Sequence, residues 1–234
     1  MTSGLDLRGI AHRFGRRWVL RGIDARIEPG QVIALTGRNG SGKTTLLRIC
    51  GTLLRPSRGT GTVFGIDLVK EPGSVRELVG MLAHDAGLYG NLTARENLEF
   101  SLRMAGRTPD ATAIAGALER VGLKREASDR VSGFSAGMRR RLALARLLLR
   151  PPALLLLDEP YASFDVDGID LVNGFTAGIA RAGGIVLVAT HDLPRVRPVM
   201  DRELRIEGGR FVQAGLEASE PDRFVGAVEE DAGR

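Results

Sequence analysis

A single cysteine, Cys50, leaves no partner for an internal disulfide and fits a reducing compartment. It falls on a helix expected just after residue 43, which marks it as a packing residue rather than a nucleophile. Long apolar runs are also missing. Those present are short, such as residues 147–149 and 153–157, and fall far short of the roughly 20 residues that span a bilayer. Residues 1–9 carry two charges, Asp6 and Arg8, and no apolar core, so no secretion signal is expected. Aromatics are scarce at 5%, and no aromatic-rich basic stripe accompanies the formal charge of +5. The basic excess is almost all arginine, scattered along the chain. A solvated surface is therefore the better reading than a nucleic-acid face. There is no internal repeat and no low-complexity segment. Residues 217–234 carry several acids and read as a weakly packed tail. What is present is a core-forming balance, 43% apolar and 26% charged in 234 residues, enough for one large domain with room for an inserted lobe.

The pattern along the chain alternates between strand and helix. Residues 5–14 and 20–27 read as strands, followed by a turn at Glu28-Pro29-Gly30. Residues 32–36 form a short apolar run bounded by glycine, as in a buried strand. A helix is expected over 44–54, and strands over 61–64 and 78–83. From 93 to 149 the periodicity turns helical, opened by Thr93 with Glu96 at capping-box spacing and punctuated by Pro109 and Gly122. A strand over 154–157, a helix over about 169–181 and a strand over 185–189 follow. A hairpin over 202–207 and 210–214 crosses Gly208-Gly209. The expectation is an α/β core interrupted by a helical insertion.

The strongest chemical signal is Gly37-Arg38-Asn39-Gly40-Ser41-Gly42-Lys43-Thr44, followed by Thr45. Glycine, four residues, then Gly-Lys-Thr is the spacing of a phosphate-cradling loop, and it lies between an expected strand and an expected helix. Glycines let backbone N–H groups turn onto phosphates, and the helix start aims its positive end at the same charge. Lys43 is expected on the β- and γ-phosphates of ATP, and the Thr44 hydroxyl on Mg2+. A strand-to-helix turn that binds nothing would have to hold this triplet in register by accident. The second signal is Leu154-Leu155-Leu156-Leu157-Asp158-Glu159, a buried strand ending in two carboxylates. Asp158 is expected to hold Mg2+, and Glu159 to act as general base on the attacking water. Alone this is weak, since many buried strands end in acids; with the loop upstream it gains force.

The third signal is Phe134-Ser135-Ala136-Gly137-Met138 running into Arg139-Arg140-Arg141. Alone it is a helix start capped by Ser135. In this company the chain resembles the ATP-binding cassette (ABC) ATPases, whose signature has the form Leu-Ser-Gly-Gly-Gln before a basic helix. Ser135 and Gly137 keep that pattern; Phe134, Ala136 and Met138 depart from it. The basic run reads as a helix face with salt bridges. The resemblance covers about residues 5–215. It implies a P-loop NTPase fold, an ABC-type nucleotide-binding domain with a RecA-like core, an antiparallel β subdomain and a helical subdomain at about 87–150. The whole domain would occupy residues 1–216. By the same resemblance Phe14 stacks on adenine, the alternative being a core phenylalanine. Ser163-Phe164-Asp165 stands where a loop communicates across a dimer, and His191 is the switch histidine on the γ-phosphate. Two chains are implied, head to tail, each offering Ser135, Ala136 and Gly137 to the ATP of the other.

His84 stands where most of the family has a glutamine linking the magnesium site to separate transmembrane permease subunits. With Gly87-Leu88-Tyr89, the run Leu92 to Leu98, Ser135-Ala136-Gly137-Met138-Arg139 and Asp158-Glu159-Pro160-Tyr161, it is similar to the ATPase subunit of the cytochrome c maturation haem exporter, often called CcmA. That resemblance implies haem export powered from the cytoplasmic face of a membrane, with no haem ligand on this chain: His12, His84 and His191 have other readings. The rivals are an ATPase of another exporter, for a drug, lipid or polysaccharide, and a soluble ABC protein acting on nucleic acid or ribosomes. The latter class usually shows two cassettes or a long coiled-coil insertion, and neither is present.

Overall fold

The computed structural model describes residues 4–83 and 87–212. His84 and the tail from 217 onward lie outside the described residues.

Alternation of large apolar residues at Leu5, Leu7 and Ile10 sets up the first strand, β1 (Leu5–Phe14), which pairs antiparallel with β2 (Arg17–Ile27). The short run β3 (Val32–Thr36) is buried on both faces and leads through the glycine loop into α1 (Lys43–Cys50). That helix is shorter than its expected span of 44–54. After Cys50 the chain turns at Gly51, and Thr52 sits at φ 56, which a continuing helix does not allow. Cys50 is fully buried, and burial pushes its thiol up to about 12, so it packs rather than reacts.

Next come β4 (Arg58–Val63), β5 (Ile66–Asp67), α2 (Pro72–Leu78) and β6 (Val79–Leu82). Neither β5 nor α2 was legible in the pattern: one is two residues long, and the other has a single buried residue, Val75, to mark its face. The helical stretch divides into α3 (Ala94–Met104), α4 (Ala111–Arg120) and α5 (Ala136–Leu149), with a 3-10 turn at Val131–Gly133. The remainder alternates: β7 (Leu154–Asp158), α6 (Val166–Arg181), β8 (Ile185–Ala189), α7 (Leu193–Val196), β9 (Arg202–Glu207) and β10 (Arg210–Val212).

Two sheets result. One is antiparallel in the order β2-β1-β4-β5; the other runs β10-β9-β3-β8-β7-β6 and is parallel except for the β9–β10 hairpin. The central strands serve two cores at once. Leu155, Leu157, Val186 and Val188 face a core built with α3 to α6, while Leu154, Leu156, Ile185 and Leu187 face one shared with α1 and the antiparallel sheet. This is why those strands read as unbroken apolar runs. Each such side chain contributes about 1.5–3 kcal/mol by leaving water. Among the described residues no helix is long and apolar enough to cross a membrane.

The Thr93 capping box is present. The Thr93 hydroxyl accepts from the Glu96 N–H at 3.2 Å, and the Glu96 carboxylate accepts from the Thr93 N–H at 2.8 Å. Those bonds hold the Glu96 carboxyl below its ordinary range. Thr93→Ala is expected to lower stability by about 0.5–2 kcal/mol, read as a reduced midpoint in denaturant. One turn on, the buried Asn97 side chain accepts from the Tyr89 N–H at 2.8 Å and donates to the carbonyls of Tyr89, Leu92 and Thr93. It thus staples the loop before α3.

Candidate functional site

Adjacent parallel strands end at the same edge of a sheet, so whatever follows them in sequence meets in space. Here β3, β8 and β7 are neighbours in parallel register, with Leu35 beside Ala189 and Ala189 beside Asp158. The glycine loop follows β3, Asp158-Glu159 closes β7, and His191 lies just past β8.

The loop depends on its glycines. Gly37, Gly40 and Gly42 have φ of 139, 78 and 113, a region that L side chains avoid. At Gly37 a methyl group would also strike the Ile206 carbonyl and the Ser41 hydroxyl, and at Gly42 it would come within 2.6 Å of Leu20 Cδ2. Gly40 has open space around it, so only its φ requires glycine. Lys43 is 7% exposed, and its Nζ donates to the carbonyls of Gly37 at 2.8 Å and Arg38 at 3.5 Å. The ammonium is thereby held inside the curve of the loop, largely out of water. The Thr44 hydroxyl donates to Asp158 Oδ1 at 3.0 Å, setting two hard oxygen donors side by side.

Glu159 adopts φ 47, rare for a residue with a side chain. Its N–H donates to the Ala189 carbonyl at 2.8 Å. Its Oε2 lies 2.9 Å from His191 Nδ1, a contact in which an ionised carboxylate accepts and the ring nitrogen donates. His191 is mostly exposed and Glu159 partly so. A brace fixes the segments after both: the Tyr161 hydroxyl donates to Asn173 at 2.7 Å, Asn173 donates to the Arg195 carbonyl at 3.0 Å, and Arg195 donates to the Tyr161 carbonyl at 3.2 Å.

Phe14, Arg17 and Val19 complete the wall of a hollow of about 530 Å3 lined by residues 39–45, Asp158 and Glu159. Phe14 is 52% exposed, which excludes the core reading, and it meets His12 edge to face with centroids 4.7 Å apart. A neighbouring hollow is lined by Gly37, Arg38, Asn39, Glu159, Ala162 and His191. The structure thus gathers Phe14, Gly37 to Thr45, Asp158, Glu159 and His191.

It does not bring Ser135, Ala136 and Gly137 to them. Ser135 caps α5, accepting from the Met138 N–H at 3.2 Å, and a methyl on Gly137 would stand 3.0 Å from the Ser163 carbonyl. None of the three lines either hollow.

The basic run after them is not simply a helix face with salt bridges. Arg139 donates to the Phe134 carbonyl, Arg140 to the Glu159 carbonyl, and only Arg141 pairs with a carboxylate, Asp165 at 2.7 Å. Nor are all the arginines scattered: Arg13 and Arg58 both lie over the Trp18 ring, at 5.7 and 5.3 Å. Sequence reasoning missed Arg17, Val19 and Arg140. Arg140 carried a readable signal, since it shares a helical stripe with Ala143, Leu144 and Leu147, all buried.

Comparison with known proteins agrees with this geometry. Residues 20–162, more than half of the chain, match the family described as ABC transporter. Over 198 residues the chain is 40% identical to the cytochrome c biogenesis ATP-binding export protein CcmA 2 of Cupriavidus metallidurans, spanning 84% of this chain and 94% of that one. Over 199 residues it is 35% identical to the ABC transporter ATP-binding protein NatA of Bacillus subtilis, spanning 84% and 81%. A solved structure of the ATP-binding subunit of an ABC transporter superposes with a TM-score of 0.79 at 25% identity, covering 88% of this chain and 87% of that one. The chain therefore belongs to the ABC transporter family, as one of its ATP-binding, ATP-hydrolysing subunits.

Proposed function

We propose that this chain powers export for cytochrome c biogenesis, with haem as the cargo, by hydrolysing ATP on the cytoplasmic face of a membrane that holds separate permease subunits. The observation that carries the chemistry is the convergence of Lys43, Thr44, Asp158, Glu159 and His191 at one sheet edge. The export pathway is supported by identity of 38–41% to several cytochrome c biogenesis ATP-binding export proteins over most of the chain. The likeness to NatA supports the second reading, an ATPase of a different exporter.

In this reading residues 1–216 form one ATPase domain with a helical subdomain at about 87–150. Phe14 stacks on adenine. Gly37, Arg38, Asn39, Gly40, Ser41, Gly42 and Thr45 present the phosphate-binding backbone, with Lys43 as the cation on the β- and γ-phosphates. Mg2+ fits the Thr44–Asp158 pair: two protein oxygens suffice for an ion that takes its other ligands from phosphates and water. No group of three or more His, Cys, Asp or Glu among the described residues offers a cage of its own. Bound there, the ion would neutralise charge on the phosphates. Glu159 takes the proton of the attacking water, and His191, oriented through Nδ1, presents Nε2 to the γ-phosphate. The separation of Ser135 to Gly137 from the hollow supports a second copy, head to tail, that supplies them. His84 is proposed to stand in for the glutamine that senses the permease.

Co-expression with candidate membrane subunits tests the pathway. The chain should co-purify with a haem-exporter permease, which should stimulate its ATP turnover. Stable capture by a drug-efflux permease instead, with stimulated turnover, would overturn the haem assignment in favour of the second reading.

A further inference from the structure

Glu159 sits in an uncommon backbone conformation, at φ 47, and something must hold it there. One tether is the bond from its N–H to the Ala189 carbonyl at 2.8 Å. A second is the Ala162 N–H, which donates to the Glu159 carbonyl at 3.3 Å, and a third comes from α5. Arg140, only 5% exposed, donates through Nη1 to the Glu159 carbonyl at 2.5 Å. Its Nη2 is buried with no hydrogen-bond partner among the described residues. Burial lowers the guanidinium pKa, while the carboxylates of Asp158 and Glu159 oppose the shift, and arginine stays charged.

A charged group with an idle donor is a costly occupant of an otherwise apolar stripe. Leucine or methionine would fill the same stripe of α5 without that cost. What only a long cation can do here is reach the main chain at the end of β7 and fix its carbonyl while lying close to both carboxylates.

We infer that Arg140 is a positioning residue for Glu159, setting the main chain from which that carboxylate reaches toward its water. The inference rests on the proposed role of Glu159. It also gives α5 two duties, since the helix that begins at Ser135 carries Arg140 one turn on. The seating of Ser135 to Gly137 on a second copy's nucleotide and the setting of this copy's Glu159 then share one rigid element.

The test uses the full chain. Arg140→Met should still bind ATP and dimerise when combined with Glu159→Gln, yet in the Glu159 background its kcat should fall by about a hundredfold, the penalty of a misplaced group near 1 Å. KM should change little. Arg140→Lys, which keeps a cation and a donor, should recover part of the rate, and thermal unfolding of each variant separates misfolding from misplacement. Mixed dimers in which only one protomer carries Glu159→Gln sharpen this. Arg140→Met should cost far more beside the intact Glu159 than in the Glu159→Gln protomer. An equal loss from either position, or an unchanged kcat, overturns the inference. Failure of the base reading shows separately, as turnover by dimers in which both copies carry Glu159→Gln.

Discussion

Replacing Glu159 by glutamine is expected to lower ATP turnover by about 10²–10⁴-fold, the range that general-base catalysis supplies, while ATP binding and dimerisation survive. Glutamine keeps the shape and can still accept from His191 Nδ1, which now stands 2.9 Å from Glu159 Oε2. It cannot take a proton from water. None of the contacts that hold the loop involves this side chain: Lys43 bonds to Gly37 and Arg38, and Thr44 to Asp158. The variant should therefore accumulate as an ATP-loaded dimer, visible by size exclusion with ATP and lost with ADP. Hydrolysis at the wild-type rate would remove Glu159 from the role of base.

The second large effect concerns the proposed sharing of the site between two copies. Lys43→Ala removes the buried cation of the loop, and losing one member of a buried, hydrogen-bonded charged contact costs about 2–5 kcal/mol. Gly137→Val leaves the loop intact but places bulk where even a methyl would stand 3.0 Å from the Ser163 carbonyl. Each variant alone should be nearly inactive. Mixed, they should regain activity. A hybrid dimer pairs the intact loop of the Gly137→Val copy with the intact Ser135 to Gly137 segment of the Lys43→Ala copy. With half the dimers hybrid and one complete site in each, about a quarter of wild-type turnover is expected from two-fold symmetry. No recovery on mixing, with hybrids shown to form, would rule out sites shared between chains.

The glycine loop and the buried strands were legible in the sequence because their signals are local. The two glycines and the lysine that the phosphate-loop spacing requires, Gly37, Gly42 and Lys43, lie within seven residues. Strands buried on both faces read as apolar runs, so residues 32–36 and 185–189 were placed with their observed ends. Elements with little buried surface were not legible, as with β5 and α2. The end of α1 was misjudged because Leu53 and Leu54 continue the apolar content after the backbone has already turned.

The sequence by itself determined a phosphate-loop spacing between a strand and a helix and a buried strand ending in Asp158-Glu159, while its resemblance to the ABC ATPases implied the role of the histidine after another strand. The physical reason is that the chemistry of each lies in short, contiguous segments. Tertiary structure decided the rest. Parallel pairing of β3, β8 and β7 put those segments at one edge. The antiparallel pairing of β1 with β2 set Phe14 opposite Arg17, and both line the hollow with Val19. The tertiary placement of α5 turned Arg140, one of three adjacent arginines, inward so that it reaches the Glu159 carbonyl. Contacts between residues far apart in sequence have no local signature, because they depend on which faces the whole fold buries together.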